Sequence, residues 1–303
     1  MEKTRRQHYV PRMYMKRFGY GSLNDRKISV LKLDTGKIVN DGRVENFAVS
    51  NMYYDTNSDE LNEILEETFL LYPQFKGHKN IDDPQFIEHA YARQEGAIST
   101  LLDELEKDMS LLNQDSYKAK FIDFIHSLAY RTKSYRDSID AINQQTEKFI
   151  CEICDKMGLS ESEKRKTIDM NCRSGKQTQL YQMTSIVPVL QTMKMLVEQY
   201  NWYEGYNNTK LDFIISDNPA ETVRLGFNDI CIPICCSKAV IMRIKDNTAP
   251  LISKDVPANG KIELSLDSVI NYNRLQLEMG QKFVFGTKEA IDIMKQIYDK
   301  TRG

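Results

Sequence analysis

Residues 27–40 read KISVLKLDTGKIVN. Ile28, Val30 and Leu33 are the apolar positions of a short strand, Asp34-Thr35-Gly36 supplies a turn, and an extended run follows, so the stretch predicts a β-hairpin near the start of the chain. The next strand-like runs come only after residue 206. They are LDFII (211–215), DICIPI (229–234), AVIMRI (239–244), the alternating IELSL (262–266) and FVF (283–285), each bounded by Asn, Asp, Pro or Gly. Strands at both ends of the chain around a strand-poor middle predict an α+β fold. In it, a helical middle region packs on a mixed or antiparallel sheet built from the N-terminal hairpin and the C-terminal strands. The expected organisation is one large domain over 1–303, with a helical subdomain of about 57–205 inserted between the hairpin and the β-rich region.

Helical periodicity fills that middle. A helix is predicted over about 84–107, with Pro84 in its first turn and Phe86, Ile87, Ala90, Ile98, Leu101, Leu102 and Leu105 on its apolar face. A second covers about 116–142 through Phe121, Phe124, Ile125, Leu128 and Ala129. A third covers about 145–157 and stops at Gly158. Residues 160–200 continue as helix, interrupted near Ser174-Gly175 and by Pro188. Later, a helix is expected from Asp267 as N-cap to Gly280, and a last one from Thr287 carrying Ile291, Met294 and Ile297.

The chain has 303 residues with 41 Lys and Arg against 43 Asp and Glu, a formal charge of -2, 41% hydrophobic and 28% charged residues. This composition excludes collagen-like, mucin-like and largely disordered classes, and it supports a core without disulfides or structural metal. No run of about 20 apolar residues is present, and the opening MEKTRRQHYVPRM lacks the apolar stretch of a signal peptide, so a cytoplasmic protein with no membrane partner is expected. The six cysteines read as reduced thiols. The near-neutral total hides opposed patches. Lys3, Arg5, Arg6, Arg12, Lys16 and Arg17 stand in residues 3–17 without a carboxylate, whereas Asp55, Asp59, Glu60, Glu63, Glu66 and Glu67 follow with no base. The acidic stretch reads as a solvated helix face capped by Asn57 or Ser58.

Phosphate loops, dinucleotide fingerprints, GxSxG and HExxH are absent. Cys151-Glu-Ile-Cys154 has half the spacing of a zinc site but no second half, so small core residues are the simpler reading. Of four histidines, His8 differs, because the cations around it favour a neutral imidazole able to act as a base. Glu88 and Glu95 lie seven apart on one helix and face Arg131, Lys133 and Arg136 on the next. Either Glu95 pairs with Arg131 to hold the helices in register, or Arg131 and Arg136, with Tyr130 or Tyr135 for stacking, grip phosphate or base. Ser216-Asp217-Asn218-Pro219 ends a strand in a polar turn, which is explained by turn chemistry or by a site at a strand end.

Taken together and in order, these segments resemble a bacterial family, the domain of unknown function 4238 group. The resemblance rests on His8-Tyr9-Val10-Pro11 followed by Arg12-Met13-Tyr14-Met15-Lys16-Arg17-Phe18, on RVENFAVSNMYYD with Asn46 and Tyr54, on Glu95, on Arg131-Thr132, on Ser216 to Pro219, and on Asn273 before FVF. One departure is Pro233-Ile234-Cys235 where the family usually has Pro-Leu-Ser. The resemblance implies a bacterial or phage-encoded cytosolic protein found beside mobile-element or defence genes, and no settled reaction.

The expected function is an effector acting on nucleic acid, most simply a metal-independent ribonuclease that needs no cofactor. His8 would be its general acid or base, Arg131 and either Lys16 or Arg17 would hold the phosphate, and Asp217 would orient the imidazole or bind the ribose. Tyr9, Arg136, Ser216, Asn218 and Asn273 complete the expected substrate contacts, and Glu95 is structural or catalytic. Expected partners are nucleic acid, RNA foremost, and a protein from a neighbouring gene. The alternatives are a non-enzymatic sensor of a phage component or nucleotide that regulates a partner, and a scaffold in which all the signatures maintain the fold.

Overall fold

A computed structural model describes residues 5–22, 25–57, 59–60, 62–63, 66, 84–246 and 248–302. Strand β1 (Arg6–His8) leads into a one-turn helix α1 (Arg12–Met15), then the hairpin β2 (Ile28–Lys32) and β3 (Ile38–Gly42), and β4 (Val49–Asn51). The helical middle follows as α2 (Phe86–Lys107), α3 (Asp115–Tyr130), α4 (Lys133–Met157), α5 (Glu161–Asn171), α6 (Gly175–Thr184) and α7 (Ile186–Gln199). Next come β5 (Tyr200–Tyr206), β6 (Ile215–Ser216), the short α8 (Glu221–Arg224), β7 (Asp229–Cys235), β8 (Lys238–Ile244) and β9 (Lys261–Glu263). Helix α9 (Leu266–Met279), strand β10 (Phe283–Gly286) and helix α10 (Lys288–Arg302) complete the order.

The fold is mixed α+β, and the N-terminal hairpin does join C-terminal strands. The four-stranded antiparallel sheet runs β3-β2-β10-β6, with Phe285 opposite Val30 on one side and Ile215 on the other. The remaining C-terminal strands form a second, mixed sheet, β7-β8-β5-β9, in which only β5 and β9 run parallel. A third pair, β1 with β4, sets His8 opposite Val49. Strand β7 is buried at every position and β8 at its five central ones, so these continuous apolar runs are covered on both faces rather than half-solvated. Tyr14 on α1 buries its ring in the core and donates its hydroxyl to Pro233 O at 2.7 Å, tying the N-terminal segment to β7.

Helix limits differ from the sequence reading in instructive places. The predicted helix over 116–142 is broken at residues 131–132, because Thr132 adopts extended dihedrals and caps α4, its hydroxyl accepting the Tyr135 N–H at 3.3 Å. Pro188 does not interrupt α7. It lies in the first turn, where an N–H has no helical partner to lose, and the break falls at Ser185 instead. Residues 200–206 are the strand β5, so the helical region ends at Gln199 and not near 205, and the aromatic-rich YNWYEGY is the strand signal there. Gly158 is the left-handed cap expected, and Ser265 rather than Asp267 caps α9. Asn57 accepts the Glu60 N–H at 2.7 Å, as an N-cap does, while Ser58 and Glu67 lie outside the described residues.

All six cysteines are free thiols, with Cys154 buried and Cys151 partly so, and among the described residues no three His, Cys, Asp or Glu side chains gather as metal ligands. No helix among the described residues is long and apolar enough to cross a membrane.

Candidate functional site

The two-residue corner between α3 and α4 is where the sequence signals converge. Arg131 closes α3 with its side chain only 2% exposed. Its guanidinium donates to the backbone oxygen of His8 at 2.6 Å, to the Tyr54 hydroxyl at 3.3 Å and to Glu95 at 3.1 Å, and it stacks 4.5 Å from the Tyr91 ring. Tyr54 returns its own proton to Arg131 O at 3.1 Å. The Glu95–Arg131 ion pair exists, and each of the three guanidinium nitrogens donates to a protein group.

Thr132 continues the network toward the late signature. Its hydroxyl reaches Asn218 Oδ1 at 3.2 Å, while the Asn218 amide nitrogen donates to Ser134 and to Met279 O. Ser216 directs both its N–H and its hydroxyl to Gln276 Oε1, and its hydroxyl also accepts the Asn218 N–H. Asn273 bonds the backbone of Ile214 and Asp212 on either side of Phe213. Asp217, 4% exposed, accepts the N–H groups of Gln281 at 2.8 Å and Lys282 at 3.0 Å, one on each oxygen. Burial pushes its carboxyl above the ordinary range, against the pull of those backbone donors. Gly280 lets this loop pass close, since a Cβ there would meet Leu33 Cδ1 at 2.8 Å. The Ser-Asp-Asn-Pro turn is thus a hub joining β6, α9, the loop before β10 and the α3–α4 corner.

Other expected contacts divide into closed and open groups. Arg136 is closed, donating to Gln179 Oε1 and to Tyr53 O while stacked 3.8 Å from the Tyr53 ring. Arg17 is closed as well, buried against Asp103, Glu106 and the Ser99 carbonyl. Tyr9 is buried beside Tyr53, and burial followed by the nearby Asp217 carboxylate holds its phenol well above the usual value. Lys16 stays open at 42% exposure and lies 4.0 Å from Glu45. Arg12 pairs with the same Glu45 carboxylate at 2.5 Å, and Arg6 donates to the Glu45 backbone oxygen at 3.0 Å.

His8 sits beneath this rim. Its Nε2 is buried with no hydrogen-bond partner among the described residues. Burial lowers its pKa to about 4, helped by Arg12, Arg131 and Arg6 and opposed by a hydrogen bond to the Val44 backbone, so the ring is neutral at pH 7. The folded value lies below the ordinary 6.5, so between these limits the unfolded chain binds the proton that the native chain refuses. This contribution to stability is complete above pH 6.5 and is lost as pH falls toward about 4. Denaturant titrations at pH 7.5 and 4.5 are expected to show a pH loss smaller by about 2–3 kcal/mol in His8→Asn than in the parent protein.

The His8 backbone, Arg131 and, through Thr132, the Ser-Asp-Asn-Pro turn share one hydrogen-bond network, whereas the sequence reading expected the His8 imidazole to join it. It expected an open cleft, whereas the guanidinium and the carboxylate are enclosed. It missed Glu45, Gln179 and Gln276, lone polar residues whose partners lie 29 or more positions away. Local pattern carries no signal for such pairs.

The profile of one protein family, described as "Protein of unknown function (DUF4238)", matches residues 6–290. The chain belongs to this family. Comparisons of this DUF4238 member with curated proteins and with solved structures return no match. The match spans β1 through the first turn of α10, so it takes in His8, the α3–α4 corner and the polar turn after β6.

Proposed function

We propose that the protein is a cytosolic effector acting on nucleic acid as a metal-independent ribonuclease, with its phosphate contact at the rim formed by Arg6, Arg12 and Lys16. One observation carries this reading: three cations gather at Glu45, Arg12 and Lys16 at its carboxylate and Arg6 at its backbone oxygen, and two of them, Arg12 and Arg6, also act on a neutral histidine whose buried ring nitrogen lacks a partner. The Glu45 carboxylate occupies the place an anion would take, and a phosphate displacing it would be held by the same cations that act on His8. His8 then serves as the general base toward a ribose hydroxyl. Lys16 rather than Arg17 supplies the mobile charge, because Arg17 is buried against two carboxylates. Arg131 acts on the site through the His8 backbone, as a positioning residue, and Asp217 holds the loop at 281–282.

The enclosure of Arg131, Arg136 and Asp217 favours a structural role for these three, and the second reading is a non-enzymatic sensor. Binding of single-stranded RNA and its cleavage separate the two. Glu45→Gln is expected to tighten RNA binding about three- to tenfold by freeing the rim, and Arg12→Ala to weaken it and reduce the salt slope by about one. His8→Ala is expected to retain binding and lose at least about 100-fold in cleavage. Cleavage that survives His8→Ala sinks the catalytic assignment, RNA binding without turnover leaves the sensor, and RNA binding indifferent to both rim variants overturns the rim.

A further inference from the structure

A cavity of about 390 Å³ opens between α2, α3 and the α6–α7 corner, away from the rim. Its size lies near the lower end of the roughly 300–1,000 Å³ range of small-molecule sites. Phe86, Tyr91, Met183 and Val189 give it apolar and aromatic walls, and Asp123 with Gln94 forms its polar edge. Gln94 donates to Asp123 Oδ2 at 2.7 Å, while Oδ1 takes no hydrogen bond among the described residues. His126 also lines the cavity, but its nitrogens are engaged, Nδ1 with Thr192 at 2.9 Å and Nε2 with Gln182 O at 2.8 Å. The imidazole, which also lies 4.6 Å from the Tyr130 ring, therefore offers an occupant no free ring nitrogen. No Lys or Arg stands among the lining residues.

These walls suit a flat, largely apolar molecule, and the one charged lining group is an acceptor. We propose that the cavity binds an uncharged planar nitrogen heterocycle of nucleoside size, its N–H groups donating to Asp123 Oδ1. A phosphorylated form of the same molecule is disfavoured, since its charge would meet a carboxylate with no cation to offset it. The site also touches the network described above. Tyr91 forms the cavity wall with one part of its ring and receives the Arg131 guanidinium on its face, so an occupant bears on the residue that holds the His8 backbone.

The test is calorimetric titration of the full chain with adenosine, guanosine, thymidine and lumichrome, each nucleoside also as its 5′-monophosphate. At least one uncharged probe is expected to bind, and its monophosphate to bind at least about tenfold more weakly. Ala90→Phe, which fills the cavity from α2, is expected to abolish binding, and Asp123→Asn to narrow the gap between nucleoside and nucleotide. The Asn variant preserves shape, so it reports on charge even where the Phe variant fails to fold. Absence of binding by every uncharged probe overturns the proposal, as does equal affinity for the monophosphate or binding indifferent to both variants. RNA cleavage is read separately and stands or falls with His8, so neither result decides the other.

Discussion

Replacing Arg131 with alanine is expected to lower the unfolding free energy by about 3–5 kcal/mol, the cost of removing one partner from a buried ion pair. The loss exceeds a simple salt bridge because one guanidinium serves four groups at once. Without it, Glu95 loses its ion-pair partner and the His8 carbonyl and Tyr54 hydroxyl lose a donor. Tyr91 loses the cation on its ring. Arg131→Lys keeps the charge but cannot reach three acceptors in a planar fork, so it should recover only part of the loss. Glu95→Gln should cost far less, since Glu95 is 26% exposed and water replaces its partner. Urea midpoints with an unchanged slope check all three, and an Arg131→Ala protein as stable as the parent would show that the corner does not hold the fold.

A comparable loss, about 2–4 kcal/mol, is expected for Asp217→Ala, which leaves two backbone N–H groups in a buried loop without acceptors. Asp217→Asn should be nearly as damaging. The two oxygens each take one N–H, from Gln281 and Lys282, and an amide presents its own N–H to one of them. Amide hydrogen exchange gives a sharper reading than a melting point. Protection at residues 281 and 282 should collapse in both variants while that of β7 and β8 persists. Retained protection at 281 and 282 would mean that the carboxylate is not what fixes the loop.

Much of this fold was legible because its signals are local. The hairpin turn at Asp34-Thr35-Gly36, the alternating or continuous apolar runs after residue 206 and the glycine at 158 act through dihedral preference and periodicity, which a sequence displays directly. What stayed hidden is relational. Sequence did not divide the strands into two four-stranded sheets, because pairing partners follow from packing and not from any strand alone. Arg131 and Asp217 stood out in the sequence, yet residue type does not reveal whether a charge faces solvent or is consumed by backbone groups. Glu45 illustrates the converse: nothing in RVENF distinguishes it, and only three converging cations give it a role.

The hairpin β2–β3 pairs across β2 with β10, whose residues 283–286 follow some 240 positions later. A ribosome delivers the chain from the N-terminus, so the inner edge of β2 emerges long before the strand that covers it. Nascent chains stalled before residue 283 should therefore carry an uncovered, sticky edge and depend on chaperone shelter, and adding β10 should convert a protease-sensitive intermediate into the resistant form.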